Sequence, residues 1–127
     1  MLAIAVARLG SAPEGYYRVL VDRLWPRGVR RADAPFDEWI KDAAPSHDLR
    51  KWYGHEPTRY REFAARYRDE LAGRRQDGPI LRLLELVGAQ PVVLLTATHD
   101  VGKSQAPILA EFLTDQATAE SESPPIL

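Results

Sequence analysis

Residues 97–104, ATHDVGKS, have the spacing of a phosphate-binding loop: an alanine in place of the first glycine, four residues, and then Gly-Lys-Ser. In such a loop several glycines let successive backbone N–H groups turn inward around the phosphates. Here Gly102 is the only glycine of the segment, and the interior holds Asp100, whose carboxylate would repel a phosphate. We therefore interpret the match as a coincidence in a strand-to-helix connection, where Ser104 caps the helix that follows.

A second group of candidates consists of cationic side chains near the ends of predicted strands. Guanidinium groups that converge there suit a phosphate or a carboxylate, because the planar fork makes paired, charge-assisted hydrogen bonds. The candidate ligand-binding residues are Arg8, Arg23, Arg27, Arg50 and Lys41. The alternative is a structural role, in which Arg23 pairs with a nearby carboxylate and fixes the following loop; the candidate partners are Asp22, Asp33 and Asp37.

Three further side chains are candidates for proton transfer: Asp22, His55 and His99. Asp22 ends an apolar strand, where a carboxylate is costly unless it is paired or used, so it is either a general base or the partner of Arg23 or of a loop N–H. His55 is the better histidine candidate, since histidine titrates near neutral pH, although it could instead cap the next helix. A pair formed by His99 and Asp100 could face Asp22 around a divalent metal, but no histidine has a partner at ligand spacing. We predict no metal and no cofactor.

Three apolar segments that must position these residues predict strands: LAIAVAR, YYRVLVDRLW and VVLLTA. Pro26 ends the second strand, because it cannot donate to a ladder. Residues 26–45 then predict a long surface loop with one helical turn at FDEWIKD. The core strands are continuous apolar runs, which are typical of a mainly parallel sheet covered by helices on both faces. Ligands bind beyond the carboxyl ends of such strands, here at residues 22–28 and 96–104.

Helical patterns fill most of the remaining chain. Ser46 and Gly54 have the types of residue that begin and end a short helix, HDLRKWY. Further helices are predicted after Pro57, over GPILRLLELVG, and from about Ser104 to Thr114. We therefore predict one α/β domain over residues 1–115 and a disordered acidic tail over residues 116–127.

Composition limits the class of protein. The chain has 127 residues, 45% of them hydrophobic and 28% charged, with a net charge of −1 and no cysteine. It therefore lacks disulfides and thiolate sites, and no apolar run is long enough for a membrane helix. The amino end, MLAIAVAR, does not have the pattern of a secretory signal, so a cytoplasmic protein is predicted. Residues 1–31 hold six arginines and two carboxylates, whereas residues 111–127 hold four carboxylates and no basic residue. The basic beginning could attract an anion.

The run YRVLVDRLWPRG, together with WIKDAAPSHDLRKWYGH and EFAARYRDEL, resembles the YeaO-like proteins, domain-of-unknown-function family 488. The resemblance covers residues 8–113 and implies a small bacterial cytoplasmic protein with a Rossmann-like α/β core and no established reaction. In relatives, the segment equivalent to residues 94–106 resembles LLYAAKD…N.A. This chain has Thr96, His99 and Ser104 where that pattern has Tyr, Lys and Asn. Those departures indicate that Gly-Lys-Ser is local drift, and they weaken any role for the family's Tyr, Lys or Asn here.

Three hypotheses of function follow. The leading one is binding of a small anionic ligand, a phosphate ester or a carboxylate, at the strand-end arginines, with or without catalysis. The second is nucleic-acid binding through the basic patch at residues 23–31 and exposed tryptophan rings, although an isoelectric point near 6.3 argues against a protein devoted to this. The third is a protein-interaction module in which arginines and tryptophans only fix the loop. For Trp25, Trp39 and Trp52 we favour packing over stacking on a ligand. The oligomeric state is not predicted.

Overall fold

Residues 2–122, which the computed structural model describes, form four β-strands and four α-helices. The strands are β1 (Ile4–Arg8), β2 (Tyr17–Leu20), β3 (Glu38–Trp39) and β4 (Val92–Thr96). The helices are α1 (His47–Tyr53), α2 (Tyr60–Ala72), α3 (Gly78–Ala89) and α4 (Ala106–Glu122).

The sheet has the strand order β1-β4-β2-β3, and all of its pairs are parallel. Strand β4 lies between two neighbours and every one of its residues is buried, which explains its unbroken apolar sequence. The register places Arg8 of β1 opposite Thr96 of β4. The carboxyl ends of the strands therefore lie along one edge of the sheet, and the fold is the small Rossmann-like α/β architecture that was predicted.

The two faces of the sheet are covered differently. Val92 and Leu94 belong to the large core cluster, to which all four helices contribute buried side chains. Val93 and Leu95 face a smaller cluster whose described members come only from strands and loops. The prediction of helices on both faces is therefore wrong. The connections β1–β2 and β2–β3 contain no α-helix among the described residues, so helices come only from the β3–β4 crossover and from α4.

The predicted second strand is shorter than its apolar sequence suggests. The N–H of Val21 still donates to the Leu95 carbonyl at 3.0 Å, but the strand ends at Leu20, well before Pro26. The segment FDEWIKD supplies the short strand β3, which was not predicted, and the helical turn predicted near it is the 3₁₀ turn at Lys41–Ala43. The N–H of Ile40 donates to the Leu20 carbonyl at 3.0 Å, and this pairing holds the segment extended.

The helix boundaries mostly follow the predicted caps. Ser46 accepts a hydrogen bond from the N–H of Leu49, and Gly54, at φ 53°, ends α1 in the left-handed conformation that glycine favours. Helix α4 extends to Glu122, so the predicted end near Thr114 is wrong and residues 116–122 are helical rather than a disordered tail. Residues 123–127 lie outside the described part of the chain. Among residues 2–122, no helix is both long and apolar enough to span a membrane.

Candidate functional site

A cleft composed of two adjoining cavities lies at the carboxyl ends of β2 and β4. We call the first, of about 400 Å³, the arginine cavity, because Arg23 and Arg50 line it. We call the second, of about 720 Å³, the tryptophan cavity, because Trp25 lines it. Five residues line both cavities: Asp22, Leu24, Tyr53, His55 and Thr98. The cleft therefore lies where open α/β sheets bind their ligands.

Hydrogen bonds to Asp22 connect the segments that form the floor of the cleft, which consists of Asp22, Ala97 and Gln105. Oδ2 of Asp22 accepts a hydrogen bond from the N–H of Ala97 at 2.8 Å, and its Oδ1 accepts one from Nε2 of Gln105 at 2.7 Å. The same Nε2 reaches the Val21 carbonyl at 3.2 Å. Asp22 thus connects the ends of β2 and β4 with the beginning of α4, and each of its carboxylate oxygens already has a donor. This arrangement favours the structural alternative, in which Asp22 holds a loop N–H, over a general base.

Two of the three guanidinium nitrogens of Arg23 donate hydrogen bonds within the protein. Its Nη1 donates to Asp42 at 2.9 Å and its Nη2 to the Pro45 carbonyl at 3.3 Å. Its Nε is buried and has no hydrogen-bond partner among the described residues. Because Asp42 is 60% exposed, the ion pair compensates the guanidinium charge only weakly.

The predicted carboxylate partners of Arg23 are wrong. Asp33 pairs with Arg30, and Asp37 pairs with Arg18. Asp42, which we did not consider, lies on the 3₁₀ turn that follows β3, and that turn could not be placed without knowing that β3 pairs with β2.

The arginine cavity carries an excess of positive charge. Arg23, Arg50 and Lys51 line it against a single carboxylate, that of Asp22. Within residues 2–122, Arg50 and Lys51 have no side-chain hydrogen bond or ion pair, and Arg50 is half-buried. A half-buried guanidinium without a carboxylate is available to an anion from solution.

Two of the predicted ligand-binding residues do not join the cleft. Arg8 is exposed at the end of β1, opposite Thr96, and lines neither cavity. The Nζ atom of Lys41 lies 5.6 Å from the centre of the Trp39 ring, at a separate surface hollow. The structure thus brings together Arg23 and Arg50 in one cavity, with Arg27 in the adjoining one.

Aromatic side chains form the apolar wall of the cleft. The ring of Tyr53 stacks on Phe63 with 4.2 Å between centroids, and its hydroxyl donates to the Lys103 carbonyl at 2.6 Å. Tyr60, which lines neither cavity, lies behind this wall, and its hydroxyl donates to the Ser104 carbonyl at 3.1 Å. Burial raises the pKa of both phenols, so they remain protonated donors at neutral pH. Tyr53 was missed in the sequence, where its position directly before Gly54 was the available signal.

Three histidines line the cleft: His47, His55 and His99. The two that were predicted as proton-transfer candidates, His55 and His99, differ in how they are placed. His55 has a φ of 57° and follows Gly54, so two successive left-handed residues hold it at the junction of the cavities. His99 lines only the tryptophan cavity. Neither imidazole has a hydrogen-bond partner among the described residues, so no carboxylate orients either one as a general base. In the described part of the chain no three His, Asp or Glu side chains cluster in a way that could hold a metal ion.

The segment that resembles a phosphate loop forms a 3₁₀ turn at Val101–Lys103. The N–H groups of Lys103 and Ser104 donate to carbonyls of the same turn, at 3.0 and 3.1 Å. The Ser104 hydroxyl donates to the Val101 carbonyl and accepts from the N–H of Ala106, as expected of a residue that caps α4. These N–H groups are therefore not available to cradle a phosphate, in agreement with the prediction.

The tryptophans contribute to packing. Trp25 lies 5.4 Å from both Phe36 and Trp39, and its indole N–H donates to the Val29 carbonyl. Trp39 donates to the carbonyl of Asp22. Trp52 lies beneath two guanidinium groups of the α2 region, those of Arg59 and Arg66.

The basic patch at residues 23–31 is partly used within the protein. Arg30 pairs with Asp33, and the Arg31 guanidinium lies 5.0 Å from the centre of the Trp25 ring. These contacts engage both the cations and the ring that the nucleic-acid hypothesis requires.

Comparison with known proteins agrees with the resemblance carried by the DRLWPRG run. A family model for the Inactive DUF488-N3 subclade matches residues 3–126. The uncharacterized protein Rv3073c of Mycobacterium tuberculosis is 45% identical over 101 residues, which cover 80% of this chain and 83% of the relative. The uncharacterized protein YeaO of Escherichia coli is 41% identical over 97 residues, which cover 76% of this chain and 83% of the relative. No solved structure matches the chain significantly. The chain therefore belongs to the YeaO-like DUF488 family, whose relatives here have no described function.

Proposed function

We propose that this protein binds a small anionic ligand, a phosphate ester or a carboxylate, in the arginine cavity, and that it binds this ligand without transforming it. The observation that carries the proposal is the set of cationic side chains at the cavity wall. Arg50 and Lys51, which line this wall beside Arg23, have no partner among residues 2–122. An anion would supply the acceptor that these donors lack.

The lining of the cleft favours binding over catalysis. Both oxygens of Asp22 accept hydrogen bonds from the protein, and the Ser104 hydroxyl is buried within its own turn. His55 and His99 have no orienting partner in the described chain. A nucleophile needs an adjacent base, and that base needs a group that orients it. The description of the matching subclade as inactive agrees with a binding role.

The test is a titration of the full-length protein with inorganic phosphate and with acetate, in which binding is measured by NMR and by calorimetry. We expect saturable binding of at least one of these anions, with the largest shifts at residues of the arginine cavity. Replacing Arg50 with glutamine removes a charge-assisted hydrogen bond, which should weaken binding about tenfold. The matched control is Arg8→Gln, which removes the same charge from a strand-end arginine outside the cleft.

Two results would count against the proposal. One is the absence of saturable binding by both anions. The other is equal weakening by Arg50→Gln and Arg8→Gln, because it would indicate attraction to net charge rather than a site. Crystals grown with phosphate provide an independent check, in which density beside Arg23 and Arg50 is expected.

A further inference from the structure

We infer that the ligand has two parts: an anionic group in the arginine cavity and, joined to it, a flat apolar ring in the tryptophan cavity. This inference rests on the proposed function and adds the chemical class of the ligand. It follows from three features of the cleft: its continuity, the contrast in charge between its halves, and the exposure of Leu24.

The cleft is larger than an inorganic anion needs. The arginine cavity alone has a volume of about 400 Å³, and five shared residues make it continuous with the 720 Å³ tryptophan cavity. Pockets of this size normally hold organic ligands, with apolar walls and a few polar groups that orient the ligand. A ligand anchored at Arg50 can therefore extend past Tyr53 into the second cavity.

The two cavities differ in charge. The tryptophan cavity has two cationic residues, Arg27 and Lys103, and two carboxylates, Asp22 and Asp100. The Nζ atom of Lys103 lies 5.0 Å from the centre of the Tyr60 ring, so this cation already has a partner in the protein. The tryptophan cavity thus offers little net attraction for an anion, whereas the arginine cavity does.

Leu24 is the strongest indication of an apolar ligand group. It is 68% exposed, the largest exposure of a large hydrophobic residue in the described chain, and it lines both cavities. Both of its neighbours in the chain are held by contacts within the protein. Arg23 is held by Asp42, and Trp25 is held by Phe36 and by the Val29 carbonyl. The fold therefore holds an apolar side chain in water at the junction of the cavities, and a bound ring would cover it.

Flat side chains around Leu24 suit a ring. Trp25 and Pro57 line the tryptophan cavity, and Tyr53 lines the junction. Arg27 lines the same cavity, and its side chain has no ion pair within residues 2–122. A guanidinium of this kind can stack on an aromatic face as well as bind an anion.

The experiment compares three probes on the full-length protein by NMR titration: inorganic phosphate, phenol and phenyl phosphate. Covering roughly 55 Å² of apolar ring surface corresponds to about a tenfold gain in affinity. We therefore expect phenyl phosphate to bind at least about tenfold more tightly than inorganic phosphate, and phenol to bind most weakly. The shifts caused by phenyl phosphate should extend from the arginine cavity to Trp25.

Two leucine variants test the position of the ring. Leu24→Ala should reduce the affinity for phenyl phosphate about threefold more than that for inorganic phosphate, because the ring loses apolar contact. Leu81→Ala is the matched control, since Leu81 is also an exposed leucine, at 44%, but lies on α3 outside the cleft. Leu81→Ala should change neither affinity.

The outcomes separate the two proposals. If inorganic phosphate binds through Arg50 but phenyl phosphate binds no more tightly, or if Leu24→Ala has no effect, the inference about the ring is overturned and anion binding stands. If phenol binds as tightly as phenyl phosphate, the anionic group does not anchor the ring, and the inference about a two-part ligand is overturned. If neither phosphate nor acetate binds, both proposals are overturned.

Discussion

Replacing Asp22 with alanine should lower the free energy of unfolding by about 2–3 kcal/mol, because it removes two hydrogen bonds to a charged acceptor. The bonds are those from the N–H of Ala97, at 2.8 Å, and from Nε2 of Gln105, at 2.7 Å. Hydrogen bonds to charged groups contribute about 1.5–3 kcal/mol each. The expected total is at or below twice the lower value, because Ala97 is exposed and water can replace the lost acceptor there.

The loss should appear as a lower melting temperature. For a chain of this length, each kcal/mol corresponds to a shift of about 4 °C, so we expect a decrease of about 8–12 °C. Thermal and urea unfolding followed by circular dichroism give the two quantities independently. The control is Asp69→Ala, which removes an exposed carboxylate of α2 that has no ion pair in the described chain and should change stability by less than about 0.5 kcal/mol.

Asp22→Asn provides a second measure. The amide oxygen can accept only one of the two hydrogen bonds, while its NH₂ group faces the other donor. The decrease in the free energy of unfolding caused by Asp22→Asn should be at least half of the decrease caused by Asp22→Ala. If both Asp22 variants melt within about 1 °C of the Asp69→Ala control, Asp22 does not connect the two strands with α4, and the account of the cleft floor is refuted.

The remaining predictions concern acid stability and a buried hydroxyl. Hydrogen bonds from arginines lower the pKa of Asp37 and of Glu38, so their stabilisation is present above the ordinary carboxyl pKa values and is lost as the pH falls below about 4. Asp37→Asn should make the free energy of unfolding, measured with urea at pH 2–7, depend less steeply on pH below about 4. An unchanged dependence on pH would contradict the assignment. Tyr67→Phe should cost about 1–2 kcal/mol, because the buried hydroxyl donates to the Ala43 carbonyl at 2.6 Å. A cost no larger than that of Tyr16→Phe, a control at a half-buried site, would contradict it.

Structural features that depend on one or two neighbouring residues could be predicted from the sequence. The hydroxyl of Ser46 and the freedom of Gly54 are properties of single residues, and both ends of α1 lie where they indicate. The apolar run of β4 also predicted a strand inside a parallel sheet, because such a run is stable only where both faces are covered.

Long-range pairing accounts for most of the errors. The end of β2 depends on the hydrogen bond from Ala97 to Asp22, and the short strand at Trp39 depends on its pairing with β2. Neither partner is visible in a local window of sequence. The sequence did indicate that helices cover only one face of the sheet. No complete helix was predicted in the connections before residue 46, so no helix was available to cover the other face.

The candidate site was predicted in part for the same reason. Residues that follow β2 directly, such as Arg23 and Arg27, had to lie at the strand-end edge, and they do. Arg8 also ends a strand, but β1 is at the outer side of the sheet, away from the cleft. Lys41 turns toward Trp39 because β3 is the opposite outer strand. Strand order, which no single segment encodes, decides which cations share a cavity.

The bonds that close the floor of the cleft join residues far apart in the chain. Asp22 receives its donors from Ala97 and Gln105, 75 and 83 positions later. A polypeptide still being synthesised, to which Gln105 has not yet been added, contains Asp22 but lacks one of its two donors. The complete set of contacts at the floor can therefore form only after about four fifths of the chain has been synthesised.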